Sequence, residues 1–220
     1  MIRNLFLFGD FNPDHPYHYR PFIEACHGQH PTIAVLMQGE QNWQQYFNRY
    51  EAVLHSLGAT AIPVLPEPGS DEISADAIAT INTADGILVS GGHAFRYIKL
   101  YSTTAVAKVI TSRYKSGIPY AGISAGAILT IRLGILPHFA IKPHFTQGNR
   151  FVELLKKMDS SGARYGVGMD NLLALHLTDE THLKVYGGEK CYIFTASTPG
   201  SYKLDVLQPT CTLPDFFHRP

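Results

Sequence analysis

Over the first 130 positions, apolar residues fall into short unbroken runs separated by stretches of helical period. Leu5 to Phe8, Thr32 to Met37, Thr60 to Leu65, Asp85 to the pair Gly91-Gly92, and Ile118 to Ala121 each read as a strand. Continuous runs of this kind fit strands covered on both faces. Between them the period lengthens. Trp43, Tyr46, Phe47, Tyr50, Val53, Leu54 and Leu57 recur at helical spacing, with Asn42 placed to cap and Gly58 to close. That aromatic stripe reads as core packing against a sheet. Ser74 to Asn82, Ala94 to Leu100 and Thr103 to Ser116 are further helices. Strands alternating with helices predict an α/β fold, a mostly parallel sheet with helices on both faces.

After position 130 the pattern loosens. Gly134 to Pro137 is a loop, Phe139 to Phe145 a short strand carrying His144, and Asn149 to Met158 a helix. Tyr165 to Asp170 is a strand, and Leu172 to Leu177 continues apolar. Leu183 to Tyr186, Cys191 to Thr195 and Tyr202 to Leu207 alternate, which predicts antiparallel strands near the edge. Phe11 to Pro31 is a long Pro-rich connection whose His15, His18, His27 and His30 read as loop surface. No linker or repeat interrupts the chain, so residues 1–220 are expected to form a single domain.

One stretch carries chemistry. The strand Ile118 to Ala121 runs into Gly122-Ile123-Ser124-Ala125-Gly126, and helix formers follow from Ala127 to Ile131. Strand, G-x-S-x-G, helix is the pattern of a nucleophile elbow. The turn is so tight that the positions two before and two after the serine leave no room for side chains, hence glycine. The hydroxyl then projects outward, and the Ala125 amide points into the same space at a helix N-terminus. In parallel sheets, sites gather at the carboxyl ends of strands. Gly91-Gly92 and Ser124 both stand at such ends, so their loops are expected to meet.

Composition narrows the partners. Lys+Arg and Asp+Glu each number 18, and no basic run occurs, so neither a nucleic-acid backbone nor an anionic membrane is an expected partner. The apolar run at the N-terminus is too short for a signal-peptide core, and no stretch approaches a membrane span. Three widely spaced cysteines point to a reducing, cytoplasmic setting. Eleven histidines show no metal-ligand spacing, so no metal or other cofactor is expected.

With the elbow, Ser90-Gly-Gly-His-Ala-Phe-Arg-Tyr-Ile-Lys-Leu100, Lys142-Pro-His-Phe145 and Gly166-Val-Gly-Met-Asp170 taken in order, the chain resembles the S51 serine peptidases over about residues 1 to 205. That family comprises peptidase E and cyanophycinase. The resemblance implies a fold related to class I glutamine amidotransferases, flavodoxin-like in outline. It implies Ser124 as nucleophile, His144 as general base, and an oxyanion hole built with Gly91-Gly92, where the amides of Gly92 and Ala125 are the expected donors. His93 stands where the family usually has an amide side chain, as an orienting or substrate-contacting group or a helix cap. For the third catalytic position Asp170 is the first choice and Asn171 the second.

The chain departs from the family pattern in places. It has no Asp or Glu between Ser124 and His144, where peptidase E has an acid. Where cyanophycinases carry a catalytic glutamate it has Asn171, and of their arginine cluster after the histidine only Arg150 remains. The expectation is a serine peptidase-like hydrolase of short peptides, with a homodimer as the candidate assembly. The rival is a catalytically silent, binding-only relative with a degenerate triad. An esterase is disfavoured because in α/β-hydrolases the acid precedes the histidine. Arg96 and Arg132 are surface groups or carboxylate ligands, and His138 is a spare base.

Overall fold

A computed structural model describes residues 1–102, 104–188, 190–198 and 200–218. Its strands and helices alternate, as the hydrophobic pattern predicts. They run β1 (Asn4–Phe8), α1 (Arg20–Ala25), β2 (Thr32–Leu36), α2 (Trp43–Ser56), β3 (Thr60–Val64), α3 (Ala75–Thr83), β4 (Gly86–Val89), α4 (Ala94–Tyr101) and α5 (Thr104–Lys115). The elbow follows as β5 (Tyr120–Ile123) and α6 (Ala125–Arg132). Then come β6 (Phe139–Pro143), α7 (Phe151–Ser161), β7 (Tyr165–Met169), β8 (Leu173–Thr178), β9 (His182–Gly187), β10 (Cys191–Thr198), β11 (Ser201–Leu207) and β12 (Thr212–Leu213). The expected helix start at Thr103 lies outside the described residues.

Eight strands form one sheet in the order β12-β9-β8-β1-β5-β4-β2-β3. From β1 to β3 every pairing is parallel. Beyond β1, the strands β8, β9 and β12 add antiparallel. The second face of each central strand explains its unbroken apolar run. Leu5 and Leu7 face the core under α3 to α6, while Phe6 and Phe8 face the core under α1 and α2. Helices therefore cover both faces, and the α/β class holds.

Several local expectations need correction. Phe139–Pro143 and Tyr165–Met169 do not extend the main sheet. They build a second sheet, β11-β10-β7-β6, whose own core joins Ala140, Phe145 and Phe194 to Leu154 and Met158 of α7. The long connection after β1 carries α1, whose Phe22 and Ile23 are buried against the sheet, and His18 beside it is buried rather than at the surface. Desolvation, with His15 next to it, holds the His18 imidazolium below its ordinary range. Asn42 precedes α2 without a side-chain cap bond, whereas Ser74 Oγ accepts the Ala77 amide at 3.1 Å and starts α3. Gly58, at φ +87°, closes α2, with its amide on His55 O and that of Ala59 on Leu54 O, a Schellman pairing.

The aromatic stripe of α2 is only partly core. Phe47, Tyr50, Val53 and Leu54 are buried, but Tyr46 is 46% exposed and Trp43 half-buried. The stripe runs past the end of the sheet, and its first turns overhang the strand termini.

Candidate active site

The carboxyl ends of β1, β4 and β5 lie side by side, and the site is built on them. The Ser124 amide donates to Phe8 O at 2.9 Å, which continues the β1–β5 ladder one residue past the strand. The chain then reverses. Ser124 sits at φ 48°, ψ −103°, a conformation costing about 1–3 kcal/mol for a side-chain-bearing residue. Close packing on both sides enforces it. A Cβ on Gly126 would lie 2.3 Å from Val89 O, and one on Gly122 would lie 2.6 Å from the Gly126 backbone. The hydroxyl is thereby held out at the start of α6.

His144 follows β6 and is itself in the left-handed region at φ 51°. Its loop is tied down on three sides. Gly148 N donates to His144 O at 2.8 Å, Phe145 N to Met169 O at 3.1 Å, and Arg150 N to Phe145 O at 2.9 Å. The imidazole Nε2 lies 3.0 Å from Ser124 Oγ, twenty positions away in sequence. The two groups expected to work together therefore meet on one rim.

Asp170 and Asn171 are placed the other way round from the first expectation. His144 Nδ1 lies 2.6 Å from Asn171 Oδ1. The Asp170 carboxylate, 2% exposed, accepts instead from Thr146 N at 2.8 Å and Thr146 Oγ1 at 2.9 Å. Asp170 thus pins the loop that carries the histidine, and the next residue reaches the ring. The reason lies in the backbone: β7 ends at Met169, and the 170–172 segment crosses to β8 beneath β1. Gly9 permits that crossing, since a Cβ there would sit 1.8 Å from Asp170 O. An Oδ1 facing Nδ1 selects the tautomer with the proton on Nδ1, leaving the Nε2 lone pair free for the serine proton.

The loop after β4 forms the other wall. Gly92, at φ 149°, and Ala125, first residue of α6, have backbone amides with no hydrogen-bond partner among the described residues. Three side chains that the sequence reading does not assign to the site hold this loop. Gln38, 5% exposed, accepts from His93 N at 3.1 Å and donates to His93 O at 2.5 Å. Gly91 N donates to Tyr50 OH at 3.4 Å, and Ser90 Oγ bonds Tyr97 OH. Tyr50, Tyr97 and Tyr101 are buried, and burial pushes the Tyr50 phenol up to about 12, so it stays protonated. A buried glutamine after an apolar run was the one available signal, since such an amide needs partners.

The remaining candidates stand apart. The His93 side chain is exposed and makes no cap bond, its ring lying 5.9 Å from Phe95. Arg96 pairs with Asp71 at 2.8 Å, and Arg132 and His138 are exposed. Cys26, Cys191 and Cys211 are free thiols. Burial pushes the Cys26 thiol up to about 12 and the Cys191 thiol higher still, which removes both as rival nucleophiles. Among the described residues no group of three or more His, Cys, Asp or Glu could hold a metal ion, and no helix is long and apolar enough to cross a membrane.

Ser124, His144 and Gly92 open into one cleft of about 460 Å³, whose far wall is Phe11, Trp43, Tyr46, Arg49 and Tyr50. The arrangement brings a hydroxyl, an imidazole and the unpaired Gly92 amide to one cleft, with the Ala125 amide next in the chain to Ser124, groups of the kind that acyl transfer uses.

Comparison with known proteins gives the chain its relatives. A family model described as peptidase family S51 matches residues 12–135. Peptidase E of Citrobacter koseri is 30% identical over 149 residues, covering 59% of this chain and 62% of that protein. Cyanophycinase of Trichormus variabilis is 23% identical over 175 residues, covering 69% of this chain and 59% of that protein. The chain thus spans about three fifths of the length of these curated relatives. Its fold is that of a peptidase from an acI-B1 actinobacterium, with TM-score 0.77 at 20% identity and 97% of each chain covered.

Proposed function

The chain belongs to peptidase family S51, and from that membership we propose that it is a serine peptidase of short peptides, working as one cytoplasmic domain through an acyl-enzyme on Ser124. The observation that carries the reading is the 3.0 Å approach of Ser124 Oγ to His144 Nε2 at the mouth of the cleft.

The steps follow from the groups present. His144 Nε2 takes the hydroxyl proton as Ser124 Oγ bonds the substrate carbonyl carbon. The carbonyl oxygen becomes an oxyanion between the Gly92 and Ala125 amides, where the α6 N-terminus adds favourable potential. One donor of this kind is typically worth about 3 kcal/mol. The imidazolium then gives its proton to the amine nitrogen as the C–N bond breaks, leaving an ester on Ser124. Water, deprotonated by His144, attacks that ester, and the serine regains its proton. Asn171 orients the imidazole and fixes its tautomer. It is neutral, so unlike a carboxylate it adds no charge stabilisation to the imidazolium.

That neutrality favours the second reading, a relative that binds peptides without turning them over. A fluorophosphonate probe separates the two. Covalent labelling that vanishes in Ser124→Ala supports the peptidase; an unlabelled native protein at neutral pH supports the binding-only relative. A scan of free and N-blocked dipeptides then identifies the substrate.

A further inference from the structure

The overhanging part of α2 has no role in the chemistry above, yet it faces the reacting groups across the cleft. Trp43, Tyr46 and Tyr50 recur at three- and four-residue spacing and so share one helix face. Tyr50 is buried and braces the Gly91 amide. Trp43 and Tyr46 are left partly uncovered, and Phe11 joins them from the loop after β1, its ring 4.1 Å from that of Tyr50. All three open rings line the same cavity as Ser124 and His144. Uncovered aromatic surface in a concave site is where binding energy is gained on burial.

The charges in the cleft argue against an ionic side chain. Asp10 and Glu40 line it together with Arg49. Asp10 Oδ1 already accepts the Phe11 amide at 2.7 Å, and the Arg49 guanidinium lies 5.8 Å from the centre of the Phe11 ring. An acidic group would meet Arg49 with two carboxylates in the same lining, and a basic one the two carboxylates with the guanidinium among them, so neither sign finds an unopposed partner, whereas a neutral flat group packs on the rings.

We propose that this cleft selects peptides by an aromatic side chain flanking the scissile bond, which packs against Phe11, Trp43 and Tyr46 while the adjoining carbonyl reaches Ser124. The inference names the substrate class for the peptidase reading and rests on it. Its test does not require turnover. Trp43 is the sole tryptophan of the chain, so intrinsic fluorescence reports occupancy of this wall directly.

In the Ser124→Ala protein, Phe-Ala, Ala-Phe, Ala-Ala, Asp-Ala and Lys-Ala are titrated by Trp43 fluorescence and by calorimetry. The expected result is that the better phenylalanine dipeptide shifts the Trp43 emission and binds about tenfold tighter than Ala-Ala. Tyr46→Ala, a truncation at an exposed position, is expected to erase most of that preference. An acidic or basic dipeptide binding as tightly as the better phenylalanine one overturns the inference. So does the absence of any emission change or calorimetric binding at millimolar peptide. The probe experiment on the native protein is independent of this outcome. Labelled Ser124 without aromatic preference removes the inference alone; aromatic binding without labelling removes the peptidase reading and the scissile-bond placement with it, and leaves only aromatic selectivity of binding.

Discussion

Replacing Asn171 with aspartate exchanges an amide for a carboxylate at the atom that faces His144 Nδ1, 2.6 Å away, and changes almost nothing in shape. In the resting site the gain is small, because the imidazole is neutral. In the transition state the ring is an imidazolium, and the same contact becomes a charged hydrogen bond. A net hydrogen bond between neutral groups is worth roughly 1 kcal/mol, against roughly 1.5–3 kcal/mol when a charge is involved. The difference, about 0.5–2 kcal/mol, is about 2- to 30-fold in kcat. The bare Coulomb attraction is larger, about 4 kcal/mol for unit charges about 4 Å apart at an effective dielectric constant of 20. Desolvating the new carboxylate and seating it next to Asp170 offset part of it. The assay is steady-state kcat on the best dipeptide, with the second-order rate of fluorophosphonate acylation as a measure of serine activation that needs no substrate. Asn171→Ala is expected to slow both about 10- to 100-fold by releasing the ring. An Asn171→Asp protein that folds normally and reacts no faster than the native one refutes the claim that residue 171 sets the energy of the imidazolium.

Gln38→Met keeps the bulk of the side chain but frees both backbone groups of His93, so the Gly92 amide loses its anchor. Expected is a fall in kcat of about tenfold or more with KM nearly unchanged, because the oxyanion contact forms only in the transition state; a change confined to KM contradicts the assignment. Gly126→Ala drives a methyl to 2.3 Å from Val89 O. It is expected to cost more than about 2 kcal/mol in chemical denaturation and to abolish probe labelling, since only backbone movement at the elbow can admit it. His176 stacks on Phe6 and bonds Asn4 Oδ1, and burial, with Lys184 nearby, lowers its imidazolium to about 4. Between that value and the ordinary 6.5 the unfolded chain holds a proton that the folded chain does not. Stability therefore rises with pH across this window and falls on acidification by up to about 3 kcal/mol. Thermal melts from pH 7 to 4 are expected to show the loss, and His176→Gln to flatten it.

Much of the scaffold was legible because its physics is local. A strand covered on both faces must be apolar at every position, so β1, β2, β4 and β5 announce themselves, and the elbow glycines follow from contact with Val89 and the α6 backbone. What stayed hidden depends on distant pairing. The alternation of Cys191 to Thr195 and Tyr202 to Leu207 gives strands but not partners. Only the register Tyr165–Met169 against Thr195–Cys191 separates a second sheet from the edge of the first. The open rings of α2 were equally hidden, because helical spacing says which side chains share a face and not where the sheet beneath them ends.

The choice between Asp170 and Asn171 shows the same limit at the scale of one residue. By charge, Asp170 is the better partner for a histidine, and charge is what a sequence displays. Both residues lie in the turn after β7, where their side chains diverge, so only one of the pair faces the ring. The second sheet decides which. β6 and β7 run parallel with Pro143 opposite Met169, so the turns that follow them lie together, and the Asp170 carboxylate is consumed by Thr146. The same turn carries the chain back to the main sheet at Leu173, beside the end of β1. Asn171 is the residue on the seam between the two sheets. His144 follows a strand of one sheet and Ser124 a strand of the other, so their 3.0 Å approach depends on how that seam is fixed. Asp170→Ala is accordingly expected to slow acylation by loosening Thr146, and hence His144, even though Asp170 touches neither reacting atom.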